Sequence, residues 1–174
     1  FITELRQRLA TLPAQTTQLF LIPPFTSLTT AAQMLPGSSI WLGAQTIHWA
    51  AEGAYTGEIS APMVQAAGAE LVMLGHAERR TLFGEANEAL RKKVNVAVAA
   101  GLRVLLCVGE QATERAVGIS QEVVAIQLKT ALADLPTVAL PNLLVAYEPV
   151  WSIGEGGTPA EAALVGEMHR WIRS

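Results

Sequence analysis

Short apolar runs alternate with segments of helical periodicity along this chain, and that alternation limits the fold more than any other feature. The apolar runs cover residues 19–22, 40–42, 71–74, 104–108 and 143–146, and each is short enough for a buried parallel strand. Short connections join each run to a helical segment. Strands and helices in this order build βα units around a parallel sheet. The sequence therefore predicts an α/β fold with about five βα units, in one domain over residues 1–174.

The helices are predicted from apolar spacing and from the residues at their ends. The predicted segments cover residues 1–12, 28–34, 61–67, 85–100, 120–132 and 158–172. Gly101 ends one of them, since glycine readily adopts the left-handed conformation that follows a helix. Thr158 and Pro159 are the expected N-cap and first residue of the last helix, because threonine caps free amides and proline needs no backbone donor there.

Polar or glycine-rich residues follow nearly every predicted strand. They lie at residues 43–45, 75–76, 109–110 and 148, and two prolines follow the first strand at residues 23–24. The carboxyl ends of all strands share one face of a barrel, whereas a doubly wound sheet concentrates its chemistry at one switch point. The sequence also lacks the G-x-G-x-x-G and G-x-x-x-x-G-K-[ST] motifs of nucleotide-binding sheets. The spread favours a TIM (β/α)8 barrel, here an incomplete arc about three βα units short of the closed ring.

Composition and charge exclude several classes of protein. Apolar residues make up 51% and charged residues 16% of the chain, which excludes disorder. The net charge is −3 with no basic stripe, so we expect no nucleic-acid partner. No apolar run reaches the ~18 residues of a membrane span, and the first residues lack the pattern of a signal peptide. The single cysteine, Cys107, rules out an internal disulfide framework and fits the reducing cytoplasm.

The segment after the last predicted strand has the composition of a lid over a carboxylate. Glu148 ends that strand, where ligands bind in α/β folds. A rigid proline comes next, apolar side chains follow it, and glycines end the segment. Such a lid would close over Glu148 and exclude water; the alternative is a packed loop beside a structural glutamate. The lid would comprise Pro149, Val150, Trp151, Ser152, Ile153, Gly154, Glu155, Gly156 and Gly157.

His76 is the second candidate for chemistry, since it also follows a strand and precedes a helix start. Amide N–H groups at a helix start disfavour the protonated ring. A neutral imidazole can donate a hydrogen bond to a substrate oxygen, while Glu148 removes a proton next to that carbonyl. Glu78 would tune this pair or simply lie at a solvated helix start. A structural histidine is the alternative.

Other arrangements of reactive residues are weaker. Glu110 and Glu148 would suit a glycosidase, but a lid over one glutamate does not require two acids. The histidines have no spacing for a metal site, and no G-x-S-x-G nucleophile motif occurs. Cys107 lies in an apolar run and is expected to be inert. The glycines around Gly154 expose backbone N–H groups that can bind a phosphate, so a small phosphorylated substrate fits this set.

Four motifs resemble those of the triosephosphate isomerase family. They are G-A-Y-T-G-E-I-S at residues 53–60, L-G-H-A-E-R-R at 74–80, L-L-C-V-G-E at 105–110 and A-Y-E-P-V-W-S-I-G at 146–154. Their order and spacing match over essentially the whole chain. The resemblance implies a cytoplasmic enzyme of glycolysis and gluconeogenesis that needs no cofactor. It would interconvert dihydroxyacetone phosphate and D-glyceraldehyde 3-phosphate through an enediolate.

The resemblance also implies roles for particular residues. Glu148 is the base and His76 the neutral electrophile, a pairing that belongs to the family and is therefore not independent of the resemblance. Gly154 donates its N–H to the substrate phosphate, and Glu78 supports the site. A loop inserts into a partner subunit, which implies a homodimer. The residues of this loop are Tyr55, Thr56, Gly57 and Glu58.

Some features depart from the family. Its N-terminal strand with the N-x-K lysine has no counterpart here, nor do its last two strands with their phosphate-binding loops. We therefore expect a chain of these 174 residues alone to be inactive and prone to aggregation, and the sequence to be part of a longer one. Ala77 replaces the usual serine, and residues 155–160 resemble relatives that isomerise tetrulose phosphates such as erythrulose phosphate in sugar-alcohol breakdown. Both substrate classes stay open, as does a non-catalytic barrel fragment.

Overall fold

Five parallel strands form one sheet within residues 1–11, 17–154 and 156–174, the ranges that the structure, a computed structural model, describes. The strands are β1 (Phe20–Leu21), β2 (Trp41–Ala44), β3 (Leu71–Leu74), β4 (Arg103–Val108) and β5 (Leu143–Tyr147). Each pairs with the next one along the chain, so the order in the sheet is the order in the sequence. In a doubly wound sheet the strand order reverses at one point, whereas in a TIM barrel each strand lies beside the next one along the chain. The observed order is that of a TIM barrel. The predicted fold class is confirmed, as a five-stranded arc of the barrel.

Helices connect these strands. They are α1 (Ile2–Ala10), α2 (Phe25–Met34), α3 (Ala61–Ala66), α4 (Ala77–Leu82), α5 (Asn87–Ala99), α6 (Ala112–Ala116), α7 (Ser120–Ala131) and α8 (Ala162–Arg173). Short 3-10 helices at Thr137–Asn142 and Val150–Ser152 flank β5. Leu12, the predicted end of the first helix, lies outside the described residues. None of the helices in the described ranges is long and apolar enough to cross a membrane.

The start of the last helix differs from the sequence prediction. Helix α8 begins at Ala162 with Glu161 as its N-cap, so the prediction that Thr158 and Pro159 open it is wrong. The Thr158 N–H donates to the Trp151 carbonyl, 3.2 Å away, which ties this stretch to the segment after β5. Residues 158–161 therefore belong to the connection, and α8 starts only after Glu161.

Strands β3 and β4 lie in the buried core of the described residues. Val72 of β3 and Leu106 of β4 are fully buried, and α5 covers them with Leu90 and Val94. Val124 of α7 is buried in the same cluster. Each such side chain contributes about 1.5–3 kcal/mol through removal from water. This packing makes the carboxyl ends of β3 and β4 rigid platforms for the residues that follow them.

The register brings the residues after β4 and β5 into direct contact. Val108 pairs with Tyr147 at the end of the ladder, and the Glu148 N–H donates to the Val108 carbonyl at 2.7 Å. A Cβ on Gly109 would lie only 1.9 Å from the Glu148 carbonyl oxygen. Only glycine permits so close an approach of two backbones. The chain after β5 is thereby seated on the chain after β4.

Candidate active site

His76 lies between the end of β3 and the start of α4. Gly75 makes the turn with a φ of 77°, a conformation that suits glycine. His76 is the N-cap of α4, and its Nδ1 accepts a hydrogen bond from the Glu78 N–H at 3.3 Å. Because Nδ1 accepts, a neutral ring carries its proton on Nε2. Nε2 is therefore the donor that a ligand would meet.

Glu148 follows β5 and turns its carboxylate toward the same helix start. Its Oε2 accepts a hydrogen bond from the Ala77 N–H at 3.2 Å. Its Oε1 lies 3.8 Å from His76 Nε2, which is too long for a direct hydrogen bond. The side chains of His76 and Glu148 are 23% and 20% exposed, so both are sheltered yet reachable. The structure thus brings together the two side chains that the sequence singled out.

The backbone N–H of Glu78 lies closer to the His76 ring than the Glu78 carboxylate does. Its Oε2 lies 3.8 Å from His76 Nδ1, on a side chain that is 63% exposed. Charges in such a position are screened by solvent and contribute little. The contribution of Glu78 is chiefly the amide hydrogen bond, which fixes the orientation of the imidazole ring.

Cys107 is a buried thiol close to Glu148. Burial, and then the negative charge of Glu148, raises the pKa of this thiol. The thiol therefore keeps its proton at neutral pH and does not act as a nucleophile. This environment agrees with the inert role that the sequence predicts for Cys107.

Glu110 is fully buried and anchors the start of the predicted lid. Its carboxylate accepts hydrogen bonds from the Tyr147 hydroxyl and from the Trp151 indole N–H, both at 2.9 Å. Burial, and then the bond to Glu110, raises the pKa of Tyr147, so its hydroxyl stays a donor. The Glu110 carbonyl also accepts from the Val150 N–H at 3.0 Å. These bonds give Glu110 a structural task rather than that of a second acid in a glycosidase pair.

The first half of the predicted lid is firmly held. Pro149 is buried, and Val150–Ser152 form one 3-10 turn after it. The Arg115 guanidinium stacks over the Trp151 ring, 4.4 Å from its centroid. A cation over an indole is attracted to the electron-rich face of the ring. Trp151 is therefore fixed both by its N–H, at Glu110, and by its face.

Glycines form the turn in the second half of the predicted lid. Gly154 and Gly156 have φ values of 81° and 87°, and the Gly157 N–H donates to the Gly154 carbonyl at 3.1 Å. A Cβ on Gly157 would come 2.7 Å from the carbonyl carbon of Ser152, so the two halves of the turn touch. Gly154 is exposed. Glu155 lies outside the described residues.

The predicted dimer loop is separate from this site, between β2 and α3. The Tyr55 ring packs against His48 with 4.3 Å between ring centroids, and the Glu58 N–H donates to the Tyr55 carbonyl at 3.0 Å. Thr56 is exposed, and Gly57 has a φ of 91°. These contacts shape the loop from within, so its tip is presented outward.

A buried ion-pair network, which the sequence did not reveal, supports the turn that carries His76. Glu85 Oε2 accepts from the Gly75 N–H at 3.1 Å, while its Oε1 pairs with Lys93 and, at 3.3 Å, with Arg79. Burial alone would raise the pKa of Glu85, but the bonds to Lys93 and Arg79 outweigh it and lower that pKa. Glu85 is therefore ionised at neutral pH, and its carboxylate holds the Gly75 N–H in place.

The arrangement of Glu148 and His76 suits proton transfer on a small carbonyl compound. A carboxylate oxygen and an imidazole nitrogen face the same gap, one able to take a proton from carbon and the other to bind the adjacent oxygen. Within the described ranges no group of three or more side chains is placed to hold a metal ion.

Comparison with known proteins decides the family. The sequence model described as triosephosphate isomerase matches residues 1–174. The chain belongs to the triosephosphate isomerase family.

Individual triosephosphate isomerases are also similar to this chain. The protein of that name from Aquifex aeolicus is 45% identical over 157 residues, which cover 90% of this chain and 63% of that protein. The one from Chlorobium chlorochromatii is 45% identical over 152 residues, covering 87% and 59%. The one from Herpetosiphon aurantiacus is 46% identical over 154 residues, covering 87% and 60%. The chain thus spans about three-fifths of the length of these triosephosphate isomerases.

Proposed function

We propose that the protein interconverts dihydroxyacetone phosphate and D-glyceraldehyde 3-phosphate, with Glu148 as the base and His76 as the electrophile. The observation that carries this proposal is the 3.8 Å approach of Glu148 Oε1 to His76 Nε2 at the ends of two barrel strands. Relatives that bear the name triosephosphate isomerase support the same reading.

In the first step Glu148 takes a proton from the carbon next to the substrate carbonyl. The electron pair of that C–H bond forms a carbon–carbon double bond, and the carbonyl pair moves onto oxygen. The His76 Nε2–H donates a hydrogen bond to this oxygen and stabilises the enediolate. His76 then gives its Nε2 proton to this oxygen and takes up the proton of the neighbouring hydroxyl group, whose oxygen becomes the new carbonyl. Glu148 returns the first proton to the former carbonyl carbon. The exchange is internal to the substrate, so no external oxidant or reductant takes part.

The Ala77 amide makes Glu148 a directed base. It binds Oε2 at 3.2 Å and leaves Oε1 on the side of His76. Since the donor is a backbone N–H, an alanine supplies it as well as the serine that is usual in the family. Ala77 therefore does not favour the tetrulose phosphate alternative, and Glu155, which begins the other departure, is not among the described residues.

We assign the substrate phosphate to the second half of the lid, at Gly154. Exposed glycine amides in a turn bind anions well, and Gly154 is exposed at the open end of the segment. Closure over a bound phosphate would exclude water from Glu148, which is the general purpose of such lids. Remote binding of the phosphate would supply the free energy for closure.

The proposal is tested by an assay of the protein expressed from its complete open reading frame. Turnover of dihydroxyacetone phosphate with a kcat/KM well above that for erythrulose phosphate is the expected result. A preference for the tetrulose phosphate would assign the other substrate class. A folded protein that binds phosphosugars without converting either one would identify a non-catalytic barrel.

Replacing Trp151 with phenylalanine tests the anchored start of the lid. The ring stays, but Glu110 loses the indole donor at 2.9 Å. A hydrogen bond to a buried charge is worth about 1.5–3 kcal/mol, so we expect kcat/KM to fall on the order of tenfold or more. Limited proteolysis should also increase within residues 149–157. Trp171→Phe, on α8, is the matched control, and equal effects of the two substitutions would contradict the anchoring role of Trp151.

We also propose that the protein is a cytoplasmic homodimer. Tyr55 is 47% exposed on the loop between β2 and α3, and Leu82 and Phe83 are 72% and 69% exposed after α4. Exposed apolar side chains that are grouped, as the adjacent Leu82 and Phe83 are, fit a protein–protein contact. The one thiol, Cys107, is free and buried, which suits a reducing compartment.

Replacing Thr56 with arginine tests the dimer. The side chain lies at the exposed tip next to Tyr55, so a long charged group there should obstruct an inserting loop without disturbing the monomer. Loss of a central interface contact costs about 2 kcal/mol or more, so the dimer dissociation constant should rise by roughly 30-fold or more. Sedimentation velocity at several concentrations measures it. Thr113→Arg, on exposed α6, should leave the dimer intact; a dimer equally stable in both variants would exclude this loop from the interface.

A further inference from the structure

Arg80 of α4 reaches back toward the strand ends and binds three separate elements. Its Nε donates to the Gly75 carbonyl at 2.7 Å, at the end of β3. Its Nη2 donates to the Cys107 carbonyl at 3.0 Å, on β4. Its Nη1 donates to Asn87 Oδ1 at 2.6 Å, at the start of α5. The planar guanidinium group is the side chain that can satisfy several acceptors at fixed angles at once.

The first of these bonds controls the peptide group that leads into His76. The Gly75 carbonyl and the His76 N–H belong to the same planar peptide, so a bond to one fixes the plane of both. The N–H of Gly75 is held by Glu85 at 3.1 Å, so charged side chains grip this glycine on both sides. A Cβ on Gly75 would lie 2.9 Å from both Arg80 Nη2 and the Cys107 oxygen. The Arg80 guanidinium can therefore lie this close to the turn only because residue 75 is a glycine and has no Cβ.

The second bond connects this turn to the strand that seats Glu148. Cys107 is the partner of Ala146 in the β4–β5 ladder. One residue further on, the Val108 carbonyl accepts from the Glu148 N–H at 2.7 Å. Two hydrogen bonds and one residue of covalent backbone at the end of β4 therefore connect Arg80, which holds the His76 peptide, to the backbone of Glu148.

Keeping an arginine in this place has a cost that its bonds must offset. The side chain is partly buried, and burial lowers its pKa, against the raising effect of the nearby negative charge of Glu85. A buried cation is tolerated when its donors are satisfied, and here all three nitrogens have acceptors.

We propose that Arg80 is a positioning residue of this site: by locking the Gly75–His76 peptide to the end of β4, it sets the placement of His76 relative to Glu148. The inference rests on the proposed isomerase function. Arg80 does not touch the reacting groups. It acts on the distance and angle between them.

The test is Arg80→Lys in the protein expressed from its complete open reading frame. Lysine keeps the charge but cannot bridge the three acceptors at once. Since a misplacement of about 1 Å can cost on the order of 10²-fold in rate, kcat should fall by about that factor. Because the phosphate is bound elsewhere, KM should change by no more than about threefold, the pattern of an interaction that matters in the transition state.

Arg6→Lys is the matched control. Arg6 also bridges two backbone carbonyls, those of Met34 at 2.6 Å and Pro36 at 2.9 Å, but these lie at the end of α2. The Arg6→Lys variant should lose about as much thermal stability as Arg80→Lys does, but its kcat should stay that of the wild type. Equal loss of kcat in both variants would overturn the proposal, as would a normal kcat in Arg80→Lys.

A spectroscopic measurement separates this inference from the proposed function. In 15N-labelled protein the His76 ring should show one tautomer, with the proton on Nε2, because Nδ1 accepts from Glu78. In Arg80→Lys the two ring nitrogens should shift toward a mixture of tautomers. This readout does not require turnover, so a wild-type protein without isomerase activity would refute the function alone. Unchanged His76 signals in a folded Arg80→Lys would refute the positioning role alone.

If the Arg80→Lys variant does not fold, the Asn87→Ala variant tests the positioning role of Arg80 instead. It removes only the acceptor at 2.6 Å and leaves both carbonyl bonds in place. One lost hydrogen bond to a charged group weakens the clamp by a limited amount, so kcat should fall by roughly tenfold with the same shift of the His76 signals. A normal kcat together with unchanged His76 signals in Asn87→Ala would overturn the proposal.

Discussion

Replacing Glu148 with glutamine is expected to reduce turnover of the triose phosphate by about 10²- to 10⁴-fold, the usual contribution of a general base. The amide oxygen of glutamine can still accept from the Ala77 N–H, so the side chain keeps its place. It cannot take a proton from carbon. KM should change little, because the carboxylate acts on the transition state rather than on the phosphate.

Two measurements check this expectation. Steady-state kinetics give kcat and KM, and exchange of the substrate C–H proton with deuterium in the solvent reports the proton abstraction itself. Glu122→Gln, at the exposed start of α7, removes an equivalent charge away from the site and should behave as the wild type. A near-normal rate of exchange in Glu148→Gln would exclude this carboxylate as the base.

Glu148→Asp provides a graded comparison. The carboxylate is retained but drawn back by one methylene, away from the gap that it shares with His76. A displacement of about 1 Å costs on the order of 10²-fold, so its rate should lie between those of the wild type and of Glu148→Gln.

The parallel sheet was predictable because its signal is local. Each strand is a short apolar run, and each run is followed by proline, glycine or polar residues that are visible without any partner. The barrel class followed from the spread of those residues, and the sequential strand order confirms it. Helix α4 has only six residues, too few for apolar periodicity to register, yet it supplies the amides that orient both His76 and Glu148.

The supporting residues were not predictable, because their partners lie far away in the sequence. Arg80 binds the carbonyl of Cys107, and Glu110 binds Trp151, pairs that lie 27 and 41 residues apart. Nothing in the local sequence distinguishes Arg80 from an arginine on a solvated helix. The start of α8 was mispredicted because Thr158 has the local signature of a cap, and that signature does not reveal the contact of its N–H with the Trp151 carbonyl in the preceding turn.

The convergence of the two predicted catalytic side chains also depends on the sheet as a whole. Strands β3 and β5 are separated by β4, so their backbones lie two strand spacings apart, about 10 Å. Side chains that point inward from a curved wall approach one another across that interval. The 3.8 Å gap between His76 and Glu148 is therefore a property of the barrel curvature, and motif spacing alone does not contain it.

Replacing His76 with glutamine is expected to lower kcat by about 10²- to 10³-fold, the usual cost of losing one donor to a developing oxyanion. The glutamine amide can donate a hydrogen bond, but it lacks the rigid ring that Glu78 orients through Nδ1. It also cannot exchange its proton with the enediolate oxygens. His169→Gln, on the exposed side of α8, should leave turnover unchanged. Equal rates in the two variants would remove His76 from the chemistry.

The double variant Glu148→Gln/His76→Gln tests whether the pair acts as a unit. The donor at Nε2 stabilises charge only after the base has removed a proton, so without Glu148 there is little enediolate for His76 to stabilise. Effects of residues that share one step are strongly non-additive. The double variant should therefore be about as slow as Glu148→Gln alone. A further loss equal to that of His76→Gln by itself would mean that the two side chains act in separate steps, and the 3.8 Å approach would then have no catalytic meaning.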